Sequence, residues 1–298
     1  MKMNICKLLA VLAFICSCKH SHVTEQKNRV EVQGHRGDRG NFPENTIEAF
    51  LSAVDKGVDV IELDVVVSKD RKVVVSHEPF MSSAYVIAPN GQSISKTEEK
   101  SLNLYRMTYD SIRKFDTGSN GNKSFPEQKK VKTYKPLLSD VFKSVESYIH
   151  QHKLKKVRYN IEIKSEKSEY GISQPLPKEF ADMVMKEIQF ENLSERVNIQ
   201  SFDPEILNVV HKFYPDIKLA FLTDEPGIEH NLSKLDFIPE IYSPYYKLVS
   251  TSFIDSLKNK KMRVIPWTVN RDADIDNMLK LSVDGIITDY PERVLRKL

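Results

Sequence analysis

Residues 58–78 read VDVIELDVVVSKDRKVVVSHE. An aliphatic, β-branched run (58–67) is followed by the polar turn Ser68-Lys69-Asp70-Arg71-Lys72 and a second valine run that ends in Ser76-His77-Glu78. A link this short allows an antiparallel return, but not the crossover that a parallel neighbour needs. The stretch therefore reads as a strand and the second arm of a hairpin. Residues two apart on a strand share a face, so Glu62 and Asp64 point the same way, about 7 Å apart along the backbone. Reflecting the chain about the turn near Asp70 and Arg71 sets Asp64 opposite His77. The hairpin then returns an imidazole to the rim where two acids stand.

Outward from this stretch, short β-rich runs alternate with longer amphipathic ones. Strands are expected at 30–34, 58–67, 157–164, 197–202, 217–222, 237–243, 262–269 and 285–288. Ile47, Phe50, Leu51 and Val54 recur at helical spacing and Gly57 ends that run. Asn45, with Glu48 three residues on, fits a capping-box start. Ala181, Val184, Met185 and Ile188 mark a second helix. Ile206, Val209, Val210 and Phe213 mark a third, and Ile275, Met278 and Leu279 a fourth. Eight strands alternating with helices predict an α/β fold, a closed (β/α)8 TIM barrel; an open doubly wound sheet is the alternative. The stretch 78–135, rich in Ser, Lys, Asn and Gly, interrupts the alternation. So long an interruption is expected to be a functional insertion, read as a partly mobile cap over the rim with residues 118–130 its loosest portion.

The start of the chain has another character. Lys2 and Lys7 precede and flank an eight-residue apolar run, 8–15, too short to span a bilayer as a stop-transfer helix. Ile15-Cys16-Ser17-Cys18 resembles a bacterial lipobox, which implies cleavage before Cys18 and a lipid on its thiol. An ordinary signal peptide is the alternative. All three cysteines lie in this segment, so the remaining chain has no thiol with which to form a disulfide. Residues 1–18 are expected to be a lipoprotein signal peptide, 19–29 a flexible tether and 30–298 the barrel domain. The protein would be an exported, membrane-anchored lipoprotein, on the periplasmic side of a bacterial envelope. Without Lys2 and Lys7 of the 44 basic residues, 42 stand against 41 acidic ones. That balance argues against nucleic acid as a partner.

Four short motifs stand at strand ends: Gly34-His35-Arg36-Gly37, Glu62-Leu63-Asp64, Ser76-His77-Glu78 and Glu162-Ile163-Lys164. Glu162 and Lys164 share a face, as Glu62 and Asp64 do. Ionisable side chains turned into a barrel are costly unless they are paired or bind a cation. Three carboxylates and no cysteine make a hard, oxygen-rich set that favours Mg2+ or Ca2+. Zinc held by the two histidines is the alternative, but the close helical His spacing common in zinc sites is absent. Arg36 and Lys164 either balance the acids or meet a phosphate, for which Arg offers a planar fork and Lys a point charge. Two imidazoles then supply an acid and a base.

These residues resemble the glycerophosphodiester phosphodiesterase family. The likeness lies in His35-Arg36-Gly37, Pro43-Glu44-Asn45-Thr46, Glu62 and Asp64, His77 after a short hairpin, Glu162 and Lys164, Trp267-Thr268-Val269-Asn270, and the run from Gly285 to Pro291. It covers residues 32–295, and the joint order of the motifs carries it. The resemblance implies that His35 and His77 are the general acid and base, that Glu62, Asp64 and Glu162 hold one divalent cation, and that Arg36 and Lys164 bind phosphate. It also sets Trp267 against the glycerol or leaving group, or in the barrel core. Glu44 either joins the site or supports a helix N-terminus. Two positions depart from the family pattern: Glu78 stands where Asp is usual, and Asp70-Arg71 where the turn usually has Gly. The implied substrate is a small glycerophosphodiester, cleaved to glycerol 3-phosphate and an alcohol, with water or the glycerol 2-hydroxyl as nucleophile. A phospholipase-like enzyme acting on lysophospholipids and a non-catalytic phosphodiester-binding lipoprotein are the competing readings.

Overall fold

The structure, a computed structural model, describes residues 29–298. Nine strands form one sheet: β1 (Glu31–Gly34), β2 (Val60–Val67), β3 (Val73–Val75), β4 (Arg158–Ile163), β5 (Val197–Ser201), β6 (Lys218–Thr223), β7 (Ile241–Pro244), β8 (Arg263–Val264) and β9 (Gly285–Thr288). Eight of them run parallel in the order β8-β7-β6-β5-β4-β2-β1-β9, and β3 is appended to β2. The junction between β8 and β9 is bridged by backbone hydrogen bonds from Asp284 N to Val264 O (2.9 Å), Ile287 N to Pro266 O (3.0 Å) and Val269 N to Ile287 O (2.9 Å). The ring so formed is the expected barrel. The run 262–269 ladders over only two residues as β8. Pro266, which has no N–H to donate, lies just beyond it.

The helices are α1 (Ile47–Lys56), α2 (Tyr109–Ile112), α3 (Leu138–His152), α4 (Pro177–Phe190), α5 (Pro204–Phe213), α6 (Ile228–Leu232), α7 (Thr251–Asn259), α8 (Asp272–Lys280) and α9 (Pro291–Leu295). Apart from α2, which belongs to the cap, they bury one apolar face each against the outside of the barrel, and this layer holds the main core. Phe142 of α3 meets Tyr159 of β4 edge-on, with ring centroids 5.0 Å apart, and both are fully buried. The N-cap of α1 is Thr46, whose side chain accepts from Ala49 N, and not Asn45. Asn45 is turned away, at φ 56°, because its amide is engaged by Asp64.

Inside the barrel the two halves differ. Ala220, Ile241, Ile265 and Ile287 form an apolar cluster on the β6–β9 side. The opposite side is an amide ladder: Asn160 Nδ2 donates to Gln33 Oε1 (2.8 Å) and Gln200 Oε1 (2.9 Å), and Asn198 Nδ2 donates to Asn160 Oδ1 (2.5 Å). Buried amides are tolerated there because each finds a partner.

The hairpin register differs by one residue from the expectation. Val65, Val66 and Val67 pair with Val75, Val74 and Val73, and Ser76 N donates to Asp64 O (3.0 Å), so Ser76 rather than His77 stands opposite Asp64. The turn centres on Asp70: Ser68 N donates to Lys72 O (3.0 Å), and Arg71 takes the left-handed conformation at φ 64°. His77 follows the last paired position and still reaches the rim.

Residues 78–135 pack as a cap on the outer face of this hairpin, where Met81, Val86, Leu104 and Ile112 bury against Val66 and Val74. The expected loose portion, 118–130, is tied to the loop after β1: Gln128 Nε2 donates to Arg39 O (2.8 Å) and Phe42 O (2.7 Å), and Lys129 N to Asn41 O (2.8 Å).

Candidate active site

The site lies at the C-terminal ends of the strands, where the βα loops of such a barrel converge. Glu62 and Asp64 come from β2 and Glu162 from β4, in register with Asp64. Each offers a carboxylate oxygen within 4.8 Å of the others, and all three are buried. Burial, then the neighbouring charges of Asp64 and Glu162, push the Glu62 carboxyl well above its ordinary range. Burial also raises Glu162, against the pull of Lys164, whose Nζ lies 2.6 Å from Glu162 Oε1. Burial opposes ionisation of Asp64 too, but Arg36, His77 and Lys164 outweigh it and hold that carboxyl far below normal.

The backbone around His35 serves Glu62. Arg36 sits at φ 50° and its N–H donates to Glu62 Oε2 (2.8 Å). Gly37 follows at φ 88°, and a Cβ there would lie 2.7 Å from the backbone carbon of Ala49. Only glycine fits such a position. Gln200 Nε2 donates to the other oxygen, Glu62 Oε1 (2.8 Å), at the top of the amide ladder. Asn45 Nδ2 holds Asp64 Oδ2 (2.8 Å), while Asp64 Oδ1 is buried with no hydrogen-bond partner.

Each histidine has its own carboxylate. His35 Nδ1 lies 2.7 Å from Asp289 Oδ1 and His77 Nδ1 lies 3.2 Å from Glu78 Oε1. Burial lowers the pKa of His35 more than Asp289 raises it. Burial resists the charge on Asp289, but His35 and Arg39 take its carboxyl down to about 2. Glu78 reaches His77 despite its longer arm because the cap holds its other oxygen: Tyr85 OH donates to Glu78 Oε2 (2.8 Å). Lys135, at the end of the cap, is buried and donates to Ser76 Oγ (2.8 Å).

One cleft of about 160 Å³ collects His35, Arg36, Glu62, His77, Glu162 and Lys164, with Arg39, Gln200, Phe202 and Trp267. Trp267 is partly buried, its indole N–H donates to Ser243 O (2.9 Å) and it packs edge-on against Phe202 at 5.3 Å. Glu44 lies outside this lining and grips two guanidiniums, Arg36 Nη1 and Arg39 Nε, each at 2.7 Å. The family model for the glycerophosphoryl diester phosphodiesterase family matches residues 35–293, the span that carries every one of these groups.

The chain belongs to the glycerophosphoryl diester phosphodiesterase family.

A glycerophosphodiester phosphodiesterase of Caldanaerobacter subterraneus is 34% identical over 89% of this chain and 96% of its own length. A crystal structure of a Silicibacter pomeroyi protein is 27% identical and superposes with a TM-score of 0.81, over 90% of this chain and 92% of its own. A glycerophosphodiester phosphodiesterase from Parabacteroides distasonis, 21% identical, shares the fold at a TM-score of 0.67, over 91% and 97% of the two chains. Within this glycerophosphoryl diester phosphodiesterase, sequence reasoning passed over Asp289, Glu78 as a partner of His77, Gln200, Asn45 and Arg39. Asp289 stands in the quoted run from Gly285 to Pro291, so its motif was visible, but its partner was not. Cys18 and the lipobox lie outside the described residues.

Proposed function

We propose that this family member is a metal-dependent phosphodiesterase that hydrolyses water-soluble glycerophosphodiesters to glycerol 3-phosphate and an alcohol, with His35 and His77 as acid and base. The observation that carries the reading is the single cleft in which two carboxylate-oriented imidazoles stand over a cluster of three buried acids, Glu62 and Glu162 in its lining and Asp64 beside them. Glu62, Asp64 and Glu162 fit a divalent cation: their oxygens converge, Asp64 Oδ1 is buried and unpartnered, and burial, with the charges of Asp64 and Glu162, pushes Glu62 towards protonation. An all-oxygen donor set of this kind suits Mg2+ or Ca2+. When bound, the cation supplies charge to a phosphoryl oxygen and so favours attack at phosphorus.

The chain's own groups do the rest. Asp289 accepts a hydrogen bond from Nδ1–H of His35, which keeps the proton there and leaves Nε2 as the working atom. Glu78 holds His77 in the same manner. One imidazole removes the proton of the attacking hydroxyl, water or the glycerol 2-hydroxyl, as the other gives a proton to the departing alcohol oxygen; where the glycerol hydroxyl attacks, water then opens the cyclic phosphate to glycerol 3-phosphate. Lys164, Arg36 and Arg39 line the cleft as cations against the phosphodiester charge. Arg36 is already shared between Glu44 and Asp64, at 2.7 and 3.3 Å. It therefore acts on a phosphate while neutralising the acids beneath it. Phe202 and Trp267 give the cleft an aromatic wall for the glycerol or the leaving group. The exported, lipid-anchored state remains part of the proposal on the strength of the Ile15-Cys16-Ser17-Cys18 sequence.

The test is an assay of glycerophosphocholine, glycerophosphoethanolamine, glycerophosphoinositol and a lysophospholipid, with Mg2+, with Ca2+ and with chelator. Release of glycerol 3-phosphate that chelator abolishes is the expected result. Turnover confined to the lysophospholipid, or unaffected by chelator, overturns it.

A further inference from the structure

An open basin of about 1040 Å³ lies at the other end of the barrel, around the N-terminal ends of β1 and β8. Its lining carries six cations, Arg29, Lys155, Arg158, Lys258, Arg263 and Lys297, against Glu31, Asp59 and Asp284, and Lys297 is also paired with Asp276 at 2.7 Å. Arg158 and Arg263 both meet the one oxygen Glu31 Oε2, so two guanidiniums share a single negative charge. Lys155 is paired with Asp59 yet remains 70% exposed. Arg29 and Lys258 make no salt bridge among the described residues. The basin is therefore net positive and open, in a chain whose overall charge is small.

The chain also enters the barrel here. Arg29 lines the basin and β1 begins two residues later. Eleven residue steps separate Cys18 from Arg29. At full stretch they reach about 40 Å. They start beside the N-terminal end of β1, on the barrel wall at the end opposite the catalytic mouth, so the surface nearest the anchor is the basin.

We infer, on the reading that Cys18 carries a lipid, that the basic N-terminal end of the barrel rests on an anionic membrane surface and binds its phosphate headgroups. The catalytic mouth then faces water. Substrate arrives as a dissolved phosphodiester, not as a lipid drawn from the bilayer that holds the enzyme. Headgroup phosphates supply the charge that the unshared cations lack.

Flotation of the full chain with phosphatidylcholine vesicles, with and without phosphatidylglycerol, tests this. Arg29→Gln with Lys258→Gln should weaken attachment to the anionic vesicles by about 10- to 30-fold at low salt, each lost cation counting for about fivefold. Lys167→Gln with Lys247→Gln, on loops at the opposite end, should leave it unchanged. Turnover of glycerophosphocholine should be the same for bound and free enzyme. Mass spectrometry of the chain reads the lipid on Cys18 separately. With Cys18→Ala, attachment to neutral vesicles should vanish and the anionic increment should persist. A chain without lipid that keeps the increment sinks the anchor alone. Equal attachment of wild type and the Arg29/Lys258 variant overturns the membrane face. So does displacement by inorganic phosphate, which would mark a site for a free anion, or loss of turnover on binding, which would turn the mouth to the bilayer.

Discussion

Asp289 Oδ1 lies 2.7 Å from His35 Nδ1, across 254 residues of sequence. The pair joins the first strand of the barrel to the loop after the last, so the His35 imidazole is oriented only when the ring is complete. Asn270 secures the carboxylate from the other side, donating to Asp289 Oδ2 at 2.7 Å. Asp289→Asn should lower kcat by on the order of 10²-fold or more with the fold intact, since the proton on Nδ1 loses its acceptor charge. Single-turnover rates and circular dichroism on the same preparation check this; a fully active variant would remove Asp289 from the mechanism.

The pH behaviour of the pair follows from its two shifts. His35 titrates below its ordinary 6.5, and because Asp289 raises that value, Asp289→Asn should move the His35 titration further down. His35 therefore contributes stability above about pH 6.5 that declines as pH falls through its folded value. Asp289 has a folded value of about 2 against 3.8, so its contribution is full above 3.8 and lost as pH falls through about 2. The shift corresponds to about 2 kcal/mol. Imidazole NMR titrations, with denaturation midpoints from pH 2 to 8, read both. A His35 titration above 6.5 would contradict this assignment.

His35→Ala and His77→Ala should each reduce kcat by about 10²–10⁴-fold without loss of folding. Glu78→Gln should give a smaller loss than His77→Ala, because Tyr85 still holds the side chain from the cap. Full activity of either alanine variant under saturating Mg2+ or Ca2+ would end the acid/base assignment.

Binding of a divalent cation by the three acids should stabilise the fold. At 100 times Kd the gain is about 2.7 kcal/mol, read as a rise in Tm that chelator reverses. Glu62→Gln should abolish most of that rise. It removes one carboxylate charge and leaves Gln200 Nε2, 2.8 Å from Glu62 Oε1, aimed at an oxygen that no longer carries charge. An unchanged Tm shift in the variant would exclude Glu62 as a ligand.

The core makes its own prediction. Phe142 is fully buried between α3 and β4, and Phe142→Ala should destabilise the domain by about 3–5 kcal/mol through lost contact and a residual cavity. Urea denaturation measures the loss. Because Phe142 packs outside the barrel and is not among the residues lining the cleft, turnover per folded molecule should stay the same.

Short β-branched runs and the helical spacing of apolar residues between them were enough to read the barrel, and the His35, Glu62, His77 and Glu162 motifs were legible because each sits within a few residues of a strand end. These are local properties, set by which face of a strand or helix is wet. Tertiary structure decided the rest. The hairpin register slipped by one because Arg71 accepts a left-handed turn centred on Asp70, a choice of backbone energy and not of pattern. Asn45 left its capping role because Asp64, on another strand, needed its amide. The partners of the two histidines, Asp289 and Glu78, are a distant loop and a side chain steered by the cap. Such contacts arise only when the closed ring and the packed cap bring residues together at a few ångströms, and no spacing within one segment records that distance.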